Sequence, residues 1–156
     1  IKPNNNTISA ITALPAAIPT GKVLQVVSVN YSTQVSSTAN SYSDTGLTAS
    51  ITPSSSSNKV LVLIQQPIGK TAANTWTVVK LQRDSTDIGA IESVCYTGAA
   101  QANYVGTGVG FNYLDSPSSS SAVTYKTVFR NVTASGSIHA QVDSGTSTIT
   151  LMEIEA

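Results

Sequence analysis

The hydrophobic pattern of the chain centres on residues 58–64, where the apolar run 60–64 (VLVLI) follows a serine tract at 53–57. A run this short, rich in β-branched residues and bounded by turn residues, predicts a β-strand. Its apolar side chains point to both faces, so neither face is suited to water. In a β-sandwich the core covers one face, and we expect a partner subunit or a packed arm to cover the other.

Similar short strands follow one another from Gly21 onward, separated by clusters of Gly, Ser, Pro and Asn. About nine strands and no helix are predicted, which indicates an all-β antiparallel sandwich over residues 22–156. The clearest alternation has three glycines on one face of Val105–Leu114. The predicted strands are Lys22–Tyr31, Tyr42–Thr52, Val60–Gln66, Thr75–Arg83, Ile88–Thr97, Val105–Leu114, Val123–Arg130, Ser137–Val142 and Thr148–Ile154.

Residues 1–21 differ from the rest, because Pro3, Pro15 and Pro19 restrict the backbone to extended or turn conformations. We therefore predict an extended N-terminal arm. A frayed terminus is the alternative. Without an initiator methionine or a signal-peptide pattern, Ile1 is interpreted as a processed or trimmed start. The apolar residues of the arm, which we expect to lie on the body or on a neighbouring subunit, are Ile8, Ile11, Leu14 and Ile18.

Charged residues make up only 10% of the chain, against about 25% in ordinary soluble domains. Serine and threonine exceed a quarter of the chain, so the expected surface is neutral and rich in hydroxyl groups. Such a surface suits subunit packing or contact with sugars. The net charge is zero and no basic run is present, which argues against nucleic-acid binding. No stretch approaches 18 apolar residues, so no membrane insertion is expected.

No group of residues predicts a catalytic centre, a cofactor site or a metal site. The glycines of 106–110 lie within a strand and not before a helix, so they do not form a phosphate-binding loop. We expect another backbone or an aromatic ring to approach this glycine face closely. His139 is interpreted as a surface residue, with three copies converging on a metal or an anion at a trimer axis as the alternative. The single cysteine, Cys95, is interpreted as a small buried hydrophobic residue.

Two sets of residues are candidates for contacts with other molecules. Tyr104 is the candidate receptor contact, since amphipathic tyrosine rings often anchor interfaces. The serine loops at 53–57 and 115–121 are expected to be mobile. The predicted oligomer interface is Val23, Leu24, Val26, Val60, Leu61, Val62, Leu63 and Ile64.

Five stretches of the chain together point to a family of proteins. They are Gly21–Val27 (GKVLQVV), Ser50–Ser54 (SITPS) running into Asn58–Val62 (NKVLV), Leu81–Thr86 (LQRDST), Phe111–Pro117 (FNYLDSP) and Ile149–Ile154 (ITLMEI). In this order they resemble bacteriophage virion proteins, especially tail-fibre, spike and capsid-decoration modules of phages that infect marine and cyanobacterial hosts. The resemblance covers nearly all of residues 21–156. It implies a jelly-roll-like sandwich, commonly trimeric, that is displayed on the virion exterior and is not an enzyme.

Pattern and resemblance together predict a phage virion structural protein. It would be a homotrimeric head module of a tail fibre or spike, or a capsid decoration, acting in host adhesion or particle reinforcement. The expected partners are sister copies, other virion proteins and a host-surface glycan. The alternatives are an extracellular carbohydrate-binding module and a glycan-cleaving tail spike. The last would need two carboxyl groups about 5 to 9.5 Å apart in a cleft.

Overall fold

The computed structural model describes residues 21–98 and 104–156, so the predicted arm lies outside the described residues except for Gly21. The described residues form ten β-strands and one short 3-10 turn, Val142–Ser144. The prediction of an all-β fold is confirmed. The strands are β1 (Val23–Tyr31), β2 (Val35–Ser37), β3 (Ser43–Ile51), β4 (Lys59–Lys70), β5 (Thr77–Arg83), β6 (Thr86–Val94), β7 (Val105–Asp115), β8 (Val123–Asn131), β9 (Ile138–Ala140) and β10 (Ser147–Ile154).

The strands form two antiparallel sheets that face each other. The first sheet has β1, β10, β4 and β7 side by side, and the second has β3, β8, β5 and β6. Counting only the eight long strands, the orders are first-eighth-third-sixth and second-seventh-fourth-fifth. This is the strand order of a jelly roll. The short strands β2 and β9 extend the first sheet beside the last residues of β4.

Period-two alternation places one face of each sheet in the core. In the apolar run of β4, Val60, Val62 and Ile64 point inward and are buried, while Leu61 and Leu63 point outward and are half-buried. Full burial of one aliphatic side chain contributes about 2 kcal/mol to stability. The main core cluster is Leu47, Ala49, Ile51, Val60, Val62, Ile64, Leu81, Val123, Tyr125, Ile149 and Leu151.

The sandwich has two distinct ends. The serine end carries both serine loops together with Gly21 and the last residues of β10. The loop end carries the connections from β4 to β5 and from β6 to β7. Every strand of the jelly roll runs between these two ends.

At the serine end, the first serine loop is anchored by a buried carboxylate. Ser54 donates hydrogen bonds from its backbone N–H and its hydroxyl to Oε1 of Glu153, each at 2.7 Å. Asn58 and Gln25 donate from their amide groups to the same carboxylate, each at 2.6 Å. The loop is thus tied to β10 at Ser54, which the expectation of a mobile loop did not include.

A second buried carboxylate ties β7 to the second sheet. Tyr125 donates its hydroxyl to Oδ2 of Asp115 at 2.7 Å. Arg83 donates from Nη1 to both oxygens of Asp115, at 2.9 and 3.0 Å. Burial, and then the hydrogen bond to Asp115, raise the pKa of Tyr125, so its hydroxyl stays a donor.

Candidate assembly interface

Four apolar side chains form a continuous row across the outer face of the first sheet. Val26 lies opposite Met152, Met152 lies opposite Leu61, and Leu61 lies opposite Leu114. Adjacent strands are about 4.8 Å apart, so the row crosses β1, β10, β4 and β7 over about 15 Å. Val26 and Leu114, at the two ends of the row, are 54% and 51% exposed. We call these four residues the apolar row.

The apolar surface extends beyond the row toward the serine end, where Val23 is paired with Ile154 and is 49% exposed. Lys59 flanks Ile154 at that end. Contiguous exposed apolar surface of this kind marks an interaction site on a soluble protein. The next positions toward the loop end are uncharged, and they are Ser28, Thr150, Leu63 and Asn112.

The outer face of the second sheet carries charges instead. The ring of Tyr42 contacts two cations on this face. Its centroid is 4.3 Å from Nζ of Lys80 and 5.2 Å from the guanidinium carbon of Arg130. The two outer faces therefore differ, since among the described residues the ion pairs of a hydrated surface lie on the second face and not on the first. Those pairs are Lys80 with Asp87 and Lys126 with Asp44.

The structure divides the eight predicted interface residues between the outer face and the core. Those on the outer face are Val23, Val26, Leu61 and Leu63. Leu24 is half-buried, at the irregularity in β1 before Gln25. Those buried in the core of a single copy, and so not available to a partner, are Val60, Val62 and Ile64. The prediction was therefore wrong for these three residues. The reason is that an entirely apolar run does not reveal which of its faces turns toward the core. The oligomer interface itself stays a prediction.

Two members of the apolar row, Met152 and Leu114, were missed by the sequence reasoning. On β10 the outward positions alternate with buried ones, so Met152 has the period-two signal of an outer face. Leu114 is the second-last residue of β7, where the other outward positions are glycines and Asn112. Both residues lie beside Leu61 because of the strand register. This register pairs segments that are far apart in the chain, so no local sequence pattern predicts it.

The glycine face of β7 is open. Gly106, Gly108 and Gly110 lie on the outer face of the first sheet, opposite outward positions of β4. A Cβ atom placed on Gly108 or Gly110 would meet no atom of the described part of the chain within 4 Å. The predicted close approach is therefore wrong for these two positions within one copy. Aromatic rings do pack closely against two glycines of other strands. The Tyr31 ring lies against Gly46, and the Phe111 ring lies against Gly89.

The other candidate residues lie apart from the apolar row. Tyr104 is 51% exposed before β7, and desolvation and a hydrogen bond to Asp143 raise its pKa. Its contact with a receptor stays a prediction. His139 has Nδ1 2.8 Å from Oγ of Ser36. Among the described residues no group of three or more His, Cys, Asp or Glu is arranged to hold a metal, and the trimer-axis site stays a prediction. Cys95 is half-buried, and burial raises the pKa of its thiol.

Comparisons with known proteins add a structural likeness. No protein-family model matches the chain, and no curated protein matches its sequence. Among solved structures, the chain is similar to the crystal structure of the VP2 subviral particle of infectious bursal disease virus, with a TM-score of 0.47 and 9% identity. The match covers 83% of this chain and 39% of that one, so the chain spans well under half of the VP2 length. The jelly-roll assignment rests on the strand order described above.

Within the two described ranges, no helix is long and apolar enough to cross a membrane.

Proposed function

We propose that the chain is a structural protein of a bacteriophage virion, without enzymatic activity, displayed on the exterior of the particle. It forms the head module of a tail fibre or spike, or a capsid decoration, and assembles with sister copies as a trimer. The observation that carries the proposal is the apolar row, which leaves Val26, Met152, Leu61 and Leu114 on a face where the described residues form no ion pair. The resemblance to phage virion modules supplies the biological setting.

A second copy of the chain suits the apolar row because the face is nearly uncharged. Between Met152 and the loop end, the paired outward positions of β1, β10, β4 and β7 carry no charged side chain. Like charges that face each other across an interface cost free energy. When two identical copies of this face meet, no such pair forms. The ion pairs on the outer face of the second sheet would stay in water, where they need no desolvation.

The buried carboxylates support a structural role over glycan cleavage. Among the described residues the buried carboxylates are Asp115 and Glu153. Asp115 is paired with Arg83 and Tyr125, and Glu153 accepts four hydrogen bonds from three residues. A glycosidase needs carboxyl groups that are free to protonate or attack the substrate in a cleft. Both carboxylates are instead committed to holding strands and loops together.

Light scattering on the purified chain tests the proposal. The native protein should have three times the chain mass of 16.1 kDa. Replacing Val26 and Leu61 together by lysine should give a monomer with unchanged circular dichroism, because two cations then lie in the apolar row. The matched control replaces Thr48 and Ser50, exposed on the outer face of the second sheet, by lysine and should stay trimeric. A native monomer at micromolar concentration, or equal dissociation of the control, would contradict the assembly.

The place of the protein on the particle has its own test. Antibodies raised against residues 21–156 should label the exterior of intact phage particles in electron micrographs. Absence of label on particles that contain the chain by mass spectrometry would show that it is internal.

A further inference from the structure

Two aromatic side chains from different loops meet at the loop end. Trp76, just before β5, and Tyr96, just after β6, have ring centroids 5.6 Å apart and ring planes at 74°. Tyr96 is 58% exposed. The two rings and Ser93 line a shallow depression. The apolar row crosses β4 at Leu61, near the serine end, so the assembly proposed above does not use this pair.

Hydrogen bonds between the two loops hold the ring pair on a rigid base. The backbone N–H of Asn74 donates to the carbonyl of Thr97 at 3.0 Å. Lys70 is fully buried beneath them, and its Nζ donates to the carbonyl of Ala72 at 2.8 Å and to Oγ1 of Thr97. The loops that carry Trp76 and Tyr96 are thus tied together directly. Side chains held in place before binding lose little entropy when a ligand arrives.

The backbone leading to Tyr96 is strained. Ser93 and Cys95 have φ angles of 57° and 60°, in the left-handed region that residues with side chains rarely occupy. Val94, between them, is buried, and it is paired with Thr77. Strained backbone of this kind costs stability and concentrates at ligand sites. Here it accompanies the placement of Ser93 and Tyr96 along the same depression.

The chemistry of the depression selects a neutral ligand with both apolar and hydroxyl surfaces. No charged side chain of the described residues lines it, so an ionic ligand would find no counter-charge. The faces of aromatic rings are electron-rich and attract polarised C–H groups. The Ser93 hydroxyl can donate and accept hydrogen bonds. A neutral pyranose sugar presents a face of C–H groups and a rim of hydroxyls, which matches both features.

We infer that Trp76, Tyr96 and Ser93 bind a neutral glycan, with one sugar ring stacked on the aromatic pair and a sugar hydroxyl bonded to Ser93. Stacking uses a C–H face that neutral pyranoses share, so recognition extends across several neutral glycans. The site belongs to each copy of the chain, because both loops come from the same chain.

Trp76 is the only tryptophan, so its fluorescence reports on the depression directly. We expect titration with cellohexaose, maltohexaose and mannohexaose to change its emission, with a Kd on the order of 1 mM for at least one of them. Tyr96→Ala should weaken that binding about tenfold, because a ring is lost from the stack. Tyr96→Phe keeps the ring and should bind like the native protein.

The same titration separates this site from its competitors. Tyr104→Ala removes an exposed tyrosine outside the depression, and loss of binding there but not in Tyr96→Ala would overturn the inference. Unchanged Trp76 emission with all three hexasaccharides would overturn it as well. The double lysine variant of Val26 and Leu61 should bind the saccharide with native affinity even as a monomer, so failure of the assembly and failure of the glycan site remain distinguishable.

Discussion

The carboxylate of Glu153 accepts a 2.6 Å hydrogen bond from Nδ2 of Asn58, and both residues are buried at the serine end. Burial alone would raise the pKa of Glu153. Hydrogen bonds from Asn58, Gln25 and Ser54 outweigh that effect and lower the pKa from its ordinary value of 4.5 to about 2. This carboxylate therefore joins β1, the first serine loop and β10 in its charged form.

Glu153→Gln should destabilise the protein by about 2 kcal/mol at neutral pH, because charge-assisted hydrogen bonds become neutral ones. In the unfolded chain, Glu153 is protonated near its ordinary pKa of 4.5. In the folded protein its pKa of about 2 keeps the carboxylate charged down to that pH. The stabilisation is therefore fully present above the unfolded pKa of 4.5, and it is lost as the pH falls toward the folded pKa of about 2. Urea unfolding as a function of pH measures this effect. Glu155→Gln is the exposed control, and its stability at neutral pH should match that of the native protein.

Asp115→Ala should cost about 3 kcal/mol, because it leaves the buried Tyr125 hydroxyl without its acceptor and takes the carboxylate away from the Arg83 guanidinium. Tyr125→Phe should cost only about 1 kcal/mol, since Arg83 still pairs with Asp115. The double variant should lose less than the sum of the two single losses. Urea unfolding at a fixed protein concentration provides all three values. Strict additivity would mean that the hydrogen bond from Tyr125 to Asp115 contributes nothing.

Gly46→Ala should destabilise the fold by about 2 to 4 kcal/mol. Gly46 has a φ of 85°, and an added Cβ would lie against the ring of Tyr31. Gly98→Ala is the matched control, because a Cβ there meets no described atom within 4 Å and should leave stability nearly unchanged. Thermal unfolding followed by circular dichroism tests the pair. Equal melting temperatures for both variants would show that Tyr31 moves aside at no cost.

The melting temperature of the native protein should rise with protein concentration, since a folded assembly is stabilised by mass action. In the double lysine variant of Val26 and Leu61 the melting temperature should be independent of concentration. Calorimetry over a hundredfold dilution series makes the comparison. A native melting temperature that stays constant over that series would place Val26 and Leu61 on a surface with no partner copy.

The strands could be predicted from the sequence because alternation is a local property, as in β3, where the buried apolar residues Leu47, Ala49 and Ile51 alternate with Thr48 and Ser50. The inward face of β4 could not be predicted, since both of its faces are apolar. Nor could β2, whose three residues form a strand only by pairing with β9.

Contacts between distant segments account for the rest of what the sequence did not show. The apolar row depends on the register of four strands, and nothing near Met152 in the chain signals Leu61 as its neighbour. The same holds for Trp76 and Tyr96, which only the meeting of two loops brings together. Glu153 is one acidic residue among several in the sequence, and its four hydrogen bonds arise from residues up to 128 positions away.

The separation of the two ends has a practical consequence for handling the molecule. Residues 1–20 join the jelly roll at the serine end, and the backbone N–H of Ala156 bonds Oδ1 of Asn58 at that same end. β4 has 12 residues and spans the sandwich from the serine end to the loop end. Trp76, at the loop end, therefore lies about 40 Å from the serine end. A fusion partner attached directly before Gly21 or after Ala156 therefore lies at the end of the sandwich opposite Trp76, so a surface on which the protein is immobilised in this way would leave the tryptophan facing the solution.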